Sequence, residues 1–401
     1  MKTRRSTGTI AASALVIAAF AALSACSSGS VASQSSAAAV SGGSTSSASP
    51  SASGENFSSI IPTGDIVAAS KKLVADSLGG TVGFTPPTDG PKAQQPGAHI
   101  AYVAADMTNG GVNAIATHLK EAAAIMGWTV DVYDGQASAQ GRADAMDQAI
   151  AAKPAAIILG GSDPAEQASG IKEATTQGIP VLGWHEGTIN GPGNGLFTNV
   201  STDPLKVSQL AAAFAVADSD GKAGVAIFTD GQYPIAVEKA DAMKAYVGAC
   251  ATCQVLSYND SPIATAGTDM PGKISNLLQQ YGSKLTYILA INGNYFGGAE
   301  QALRSAGLNP AGPPKGVAAG DGDAAEFQRI RTVDYQTATV AEPLRLEAFQ
   351  LIDETNRALA HQSASTFVPA PGLITHDNVP SGNEFDPPSG YENTYKTVWG
   401  K

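Results

Sequence analysis

Ile100-Ala101-Tyr102-Val103-Ala104-Ala105-Asp106 is a strand-length apolar run that stops at a carboxylate, and the same figure recurs down the chain. Strand-like runs fall at 100–105, 129–133, 155–159 and 180–183, with helical stretches at 111–126, 139–152 and 164–177 between them. The runs show no polar alternation, as expected of strands buried on both faces of a parallel sheet. The pattern then restarts. Strands near 223–229, 253–258, 286–291 and 316–319 alternate with helices near 234–248, 272–280, 295–306 and 323–331. Two consecutive sets of β-α units predict an α/β fold of two doubly wound, parallel-sheet lobes.

In open parallel sheets, ligands bind beyond the carboxyl ends of the strands. Asp106 and Asn109 follow the first strand, and Trp184-His185-Glu186 follow the fourth. Asp230 follows the next, then Asn259-Asp260, Asn292 with Asn294, and Asp321 with Asp323. Singly, each is an ordinary loop residue. Collected at the strand ends of two lobes, they predict a cleft lined with hydrogen-bonding side chains. A sugar requires such donors and acceptors, together with an aromatic face for its apolar side. Trp184 is the first candidate for that face, with Tyr295 and Phe296 behind it; the competing reading packs Trp184 in the core of its lobe.

Outward from the strands, 66–78 reads as one short amphipathic helix, and Pro86-Pro87 and Pro91 then break the chain. Residues 60–97 thus form an N-terminal arm packed on the body. Residues 27–59 are nearly all Ser, Ala and Gly, too polar and flexible to bury a core. Lys2, Arg4 and Arg5 precede an apolar run at 10–23 of about 14 residues, short of the about 20 that span a bilayer. Leu23-Ser24-Ala25-Cys26 ends that run and is similar to a bacterial lipobox. The expectation is a signal peptide at 1–25, a lipid on Cys26 and a tether over 26–59. Such a chain is extracytoplasmic and held to the cell membrane by its lipid alone.

Taking Lys2, Arg4 and Arg5 from 24 Lys and Arg leaves 21 against 35 Asp and Glu, a net charge of −14 beyond the leader. Nucleic acid repels so acidic a surface, and no nucleic-acid partner is expected. Only five histidines are present, with no H-E-x-x-H or G-x-S-x-G pattern. Adjacent His185 and Glu186 on an extended segment would point in opposite directions. Gly191-Pro192-Gly193-Asn194-Gly195 lacks the setting of a nucleotide loop, and Asp218-Ser219-Asp220-Gly221 lacks the closing glutamate of a calcium loop. No catalysis, metal or cofactor is expected. Cys250 and Cys253 lie between a helix and a strand-like run. In an oxidising space a local disulfide is the favoured reading, ahead of a redox motif or a zinc site.

Several local patterns carry a resemblance: Ile100-Ala101-Tyr102-Val103 with its loop to Asn109; Gly178-Ile179-Pro180-Val181; Asn292-Gly293-Asn294-Tyr295 before Gly298-Ala299; Ala319-Gly320-Asp321-Gly322; and Thr337-Ala338-Thr339-Val340-Ala341-Glu342. From about Ala98 onward the chain resembles the type I periplasmic-binding-protein family, in its ribose-binding-like, sugar-importer branch. The resemblance puts the family's first-loop asparagine on Asn109, while the aromatic pair that follows becomes Gly111-Val112. Its Asp-Arg pair falls on His185-Glu186 and its second-lobe arginine on Lys239. An asparagine falls on Asn292, an aspartate on Asp321 and the hinge glutamine on Glu342. With Asp106 and Trp184, these form the expected ligand-binding set. It departs too far from the family's pattern to assign ribose.

The same resemblance implies a first lobe of 98–201 with 343–367 and a second of 202–342 with 368–401. Crossings near 201–203, 341–343 and 367–369 would form a three-stranded hinge whose closure a membrane permease recognises. The expected role is the solute-binding component of an ABC importer, acting as a monomer on a sugar; presenting ligand to a sensor kinase is the other role in view. Asp106, Glu186, Asp321 and Glu342 face only Lys239 and His185, and buried carboxylates need partners. Either Lys239 and His185 pair with two of them and the ligand is a neutral sugar, or the ligand is a small cation such as an amino sugar or amine.

Overall fold

Strands that must hide both faces need a layer of helices on each side, and the chain builds that arrangement twice. The computed structural model describes residues 57–79 and 83–401; the expected signal peptide, Cys26 and the tether up to residue 56 lie outside the described residues. Helix α1 (Ile66–Gly79) comes first. Then β1 (His99–Ala104), α2 (Gly110–Met126), β2 (Thr129–Asp134), α3 (Ala139–Ala151), β3 (Ala156–Gly160), α4 (Ala168–Thr176) and β4 (Val181–Trp184) alternate. Strands β5 (Gly191–Gly193) and β6 (Leu196–Val200) complete a sheet in the order β2-β1-β3-β4-β6-β5.

Helix α5 (Pro204–Asp218) opens the second lobe. It is followed by β7 (Gly224–Thr229), α6 (Pro234–Gly248), β8 (Gln254–Asp260), α7 (Ala266–Tyr281), β9 (Tyr287–Ala290), α8 (Asn294–Ser305), β10 (Lys315–Ala318), α9 (Ala324–Thr332) and β11 (Gln336–Ala341). The chain returns through α10 (Leu344–Leu359), β12 (Gly372–Thr375) and α11 (Tyr391–Trp399). The second sheet runs β12-β11-β10-β9-β7-β8. Each sheet is parallel except for one antiparallel edge strand, β5 in the first and β12 in the second.

Two parts of the chain, the end of the tether and the segment 368–401, lie elsewhere than the sequence reading put them. Phe57–Ser59 form a 3-10 turn and Ile60 is buried, its carbonyl accepting from Gln209 Nε2 at 2.6 Å, so packed structure begins inside the expected tether. The arm at 60–97 serves both lobes: α1 lies on α5 and β12, while Phe84 enters the core of the first lobe. The segment 368–401 divides as well. Strand β12 joins the second sheet, but α11 packs on α10 in the first lobe. Trp399 stacks on Phe349 at 6.1 Å between centroids, and its indole donates to Asp353 at 2.8 Å. Removing one such buried ring costs about 3–5 kcal/mol, which is what draws the terminal helix across.

Cys250 and Cys253 are disulfide-bonded in the turn from α6 to β8, their Cα atoms 5.3 Å apart. Among the described residues, no helix is long and apolar enough to cross a membrane.

Candidate functional site

The loops that leave β1, β3 and β4 in one lobe face those that leave β7, β8, β9 and β10 in the other, across a small cavity of about 70 Å³. This is the strand-end geometry expected of a ligand site in doubly wound sheets.

At the base of the cavity lies a buried charge cluster. Glu342, just past β11, is 1 % exposed. Its Oε1 accepts from Lys239 Nζ at 3.1 Å, and its Oε2 lies 2.7 Å from His185 Nε2. Lys239 comes from α6 of the second lobe and His185 from the loop after β4 of the first, so one carboxylate is held from both sides. Burial would raise the Glu342 carboxyl, but His185 and Lys239 outweigh it and hold the group well below the usual carboxylate range. The sequence reading gave Lys239 and His185 two carboxylates to neutralise; the structure brings both to Glu342. Asp321 is left without a dedicated cation, and burial with the Glu342 charge pushes its carboxyl up.

Trp184 extends the cluster. Its ring stacks on the His185 imidazole at 3.9 Å, and its Nε1 donates to Glu347 Oε2 at 2.8 Å. His185 reaches that position because it adopts a left-handed backbone, φ 54°, rather than continuing the strand. Trp184 is 2 % exposed and belongs to the first lobe's core, yet it also lines the cavity. The two readings of this residue meet in one side chain. Burial, and then Glu342, push the Glu347 carboxyl up. His185, Glu342 and Glu347 bring one potential metal-ligand atom each within 4.8 Å of one another. The Lys239 ammonium on Glu342 and the Trp184 indole on Glu347 oppose a cation there.

Asp106, Asn109, Asn292 and Asp321 line the cavity with Trp184, His185 and Lys239. Their free capacity is limited. Asp106 Oδ1 takes the Thr108 amide at 2.8 Å and hydroxyl at 2.7 Å. Asn109 caps α2, its Oδ1 accepting from Gly111 N at 3.0 Å, and Asn292 Oδ1 accepts from Asn294 N at 3.2 Å. Both caps leave a side-chain amide NH₂ in reserve. The first turn of α2 lies so close to the second lobe that a Cβ on Gly111 would come within 2.6 Å of Asp321 Oδ2. Glycine in place of the family's aromatic residue therefore makes room for that carboxylate.

Two expectations fail. Glu186 does not face the cavity: it folds back over Gly183 and accepts from Ser162 N at 2.8 Å and Ser162 Oγ at 3.0 Å, inside the first lobe. A Cβ on Gly183 would stand 2.5 Å from Glu186 Cγ, so the glycine permits the fold-back. Tyr295 and Phe296 are equally remote. Both are buried in the second lobe's core, with Tyr295 donating to the Ser261 carbonyl at 2.7 Å.

Sequence reasoning missed Tyr233, Ile235, Ile263 and Ile291, which line the second lobe's wall. They occupy strand-end loops and a helix start, but a search for polar groups passes over aliphatic ones. It also missed Arg142, which is buried, holds Glu166 with two bonds of 2.7 Å, and donates across the cleft to the Tyr233 hydroxyl at 3.3 Å. Its guanidinium sits 5.6 Å from the centre of the Tyr233 ring, so the lobes touch through this residue as well.

The sequence signature of the family described as a periplasmic binding protein domain matches residues 100–363. No curated protein matches the chain. Solved structures share the fold at low identity. A sugar ABC transporter protein from Yersinia enterocolitica is 17% identical, covering 76% of this chain and 94% of that one with a TM-score of 0.65. The periplasmic binding component of an arabinose ABC transporter from Shewanella sp. ANA-3, bound to L-arabinofuranose, is 17% identical over 75% of this chain and 95% of that one, TM-score 0.61. An ABC transporter solute-binding protein from Agrobacterium vitis, bound with α-D-tagatopyranose, is 17% identical over 71% and 96%, TM-score 0.61.

The inward-turned Glu186 gives a stability test. Burial pushes its carboxyl from 4.5 up to about 7, against the pull of Ser162. A carboxyl raised in the folded state binds its proton more tightly there than in the unfolded chain. Its contribution is therefore full below about pH 4.5 and is lost as pH rises through about 7. Glu186→Gln keeps an acceptor for Ser162 and removes the titration. Relative to the parent, it is expected to gain stability between pH 5 and pH 8, at about 1.4 kcal/mol per pKa unit and a few kcal/mol at most. Urea unfolding at both pH values measures this, and parallel pH dependence in the two proteins would contradict it.

Proposed function

The chain belongs to the periplasmic-binding-protein-domain family, and from that premise we propose that it is the solute-binding component of an ABC importer for a small neutral carbohydrate. One observation carries the reading. The cavity is walled by both lobes, and its basic side chains, Lys239 and His185, are already engaged by Glu342. What remains for a ligand is a set of amides and carboxylate oxygens that suits hydroxyls. Sugars bound to the Shewanella and Agrobacterium proteins support the same class.

Around this core we place the rest of the role. The mature protein is a monomer outside the cytoplasm, lipidated at Cys26 and tethered by the Ser/Ala/Gly segment, and its closed form engages a permease. One observation favours a second ligand class. Asp106 and Asp321 both line the cavity while the cations beside them are engaged, so an amino sugar or amine would find two carboxylates.

Titration calorimetry with neutral sugars and small amines, at low and high salt, separates the two readings. A neutral sugar is expected to bind with little salt dependence and to lose about 10- to 100-fold in affinity in Asn292→Ala, the effect of leaving a buried hydroxyl unpaired. Binding only by amines, weakened by salt, would overturn the neutral-sugar reading. The anchor has its own check. Cys26→Ala is expected to shift the protein from the membrane fraction to the soluble one, and an unchanged membrane fraction would contradict lipidation.

A further inference from the structure

The cavity lining is of two kinds. Hydrogen-bonding groups lie at strand ends of both lobes, Asp106 and Asn109 in the first and Asn292 and Asp321 in the second. Beside these polar groups the second lobe presents an aliphatic patch: Ile235 from the first turn of α6, Ile263 from the 3-10 turn after β8, and Ile291 at the end of β9. Val112 of α2 also lines the cavity. Ile235 and Ile263 are only half-buried, so their apolar surface stays open to the cavity. Polar groups bordering this patch are engaged elsewhere. Asp230 Oδ1 accepts from the Gln232 amide at 3.0 Å and Oδ2 from the Ile263 amide at 2.8 Å, while the Tyr233 hydroxyl accepts from Arg142.

A hydroxyl pressed against Ile235, Ile263 or Ile291 would lose its water without gaining a partner there. Of the aromatic rings that line the cavity, Tyr233 carries the Arg142 guanidinium 5.6 Å from its centre. Tyr295 and Phe296 are in the core, and the Trp184 ring is covered on one side by His185. We infer that the ligand is a sugar with an apolar edge, a deoxy or alkyl-substituted monosaccharide, seated with its hydroxyls on Asp106, Asn109, Asn292 and Asp321 and its apolar edge on Ile235, Ile263 and Ile291. This rests on the carbohydrate reading and narrows it.

The test is calorimetric titration of the full chain with matched pairs that differ at one position: L-rhamnose against L-mannose, L-fucose against L-galactose, and 5-methylthioribose against ribose. In any pair that binds, the deoxy or alkylthio member is expected to bind about tenfold more tightly or better, the scale on which an apolar pocket discriminates. Ile263→Thr and Ile235→Thr are expected to shrink that ratio severalfold while thermal unfolding shows the fold retained; two half-buried sites guard against one variant failing to fold. Equal or tighter binding of the hydroxylated member, or an undiminished ratio in both variants, would overturn the inference. Binding of fully hydroxylated sugars alone would overturn it and leave the carbohydrate reading standing. Binding of no sugar at all would remove both.

Discussion

Glu342 sits where the last parallel strand of the second lobe hands the chain back to the first, and it is held by Lys239 from one lobe and His185 from the other. A carboxylate this deeply buried is tolerated only while both partners stay in place. The floor of the cleft follows from that constraint. His185 must leave the strand direction to reach Glu342, and in doing so it lays its ring on Trp184. Trp184 in turn anchors Glu347 at the start of α10. The charge cluster therefore ties the hinge, the cavity and the core of the first lobe into one arrangement.

That arrangement bears on recognition. Two lobes joined by crossing segments can open and close, and a ligand bound between them favours the closed form in proportion to its extra contacts there. In this structure the lobes already touch, through Arg142 on Tyr233 and through the tight approach of Gly111 to Asp321. Because Glu342 engages the local basic groups, the cavity offers its ligand hydrogen-bonding groups beside an aliphatic patch, with little net attraction for an anion.

Much of this was legible in the sequence, for a physical reason. Parallel strands buried on both faces have to read as unbroken apolar runs, and the residue that ends such a run is placed at the cleft by topology alone. This is why Asp106, Asn109, Asn292 and Asp321 fall where the strand ends put them. Other features left weaker traces. Helix α5 is buried around most of its circumference, so its Ala- and Val-rich run has no polar face to mark a period. Helix α10 is the reverse case: Asp353, Asn356 and Arg357 look like surface residues in sequence but are buried and partnered by distant parts of the chain. Glu186 was placed in the cleft by its neighbours, and only the space over Gly183 determines that it turns inward. The aliphatic patch went unseen because isoleucines at strand ends look like core.

The claim on which this account rests is that Glu342 is stabilised jointly, by groups from both lobes. A double-mutant cycle on Lys239→Met and Glu342→Gln, followed by urea unfolding, tests it most directly. Lys239→Met alone is expected to cost about 3–5 kcal/mol, because it leaves a buried carboxylate short of its cation. The double variant should recover much of that loss, giving a coupling energy of about 2 kcal/mol or more. Additive losses, agreeing within about 0.5 kcal/mol, would show that the two residues do not depend on one another and would contradict the account.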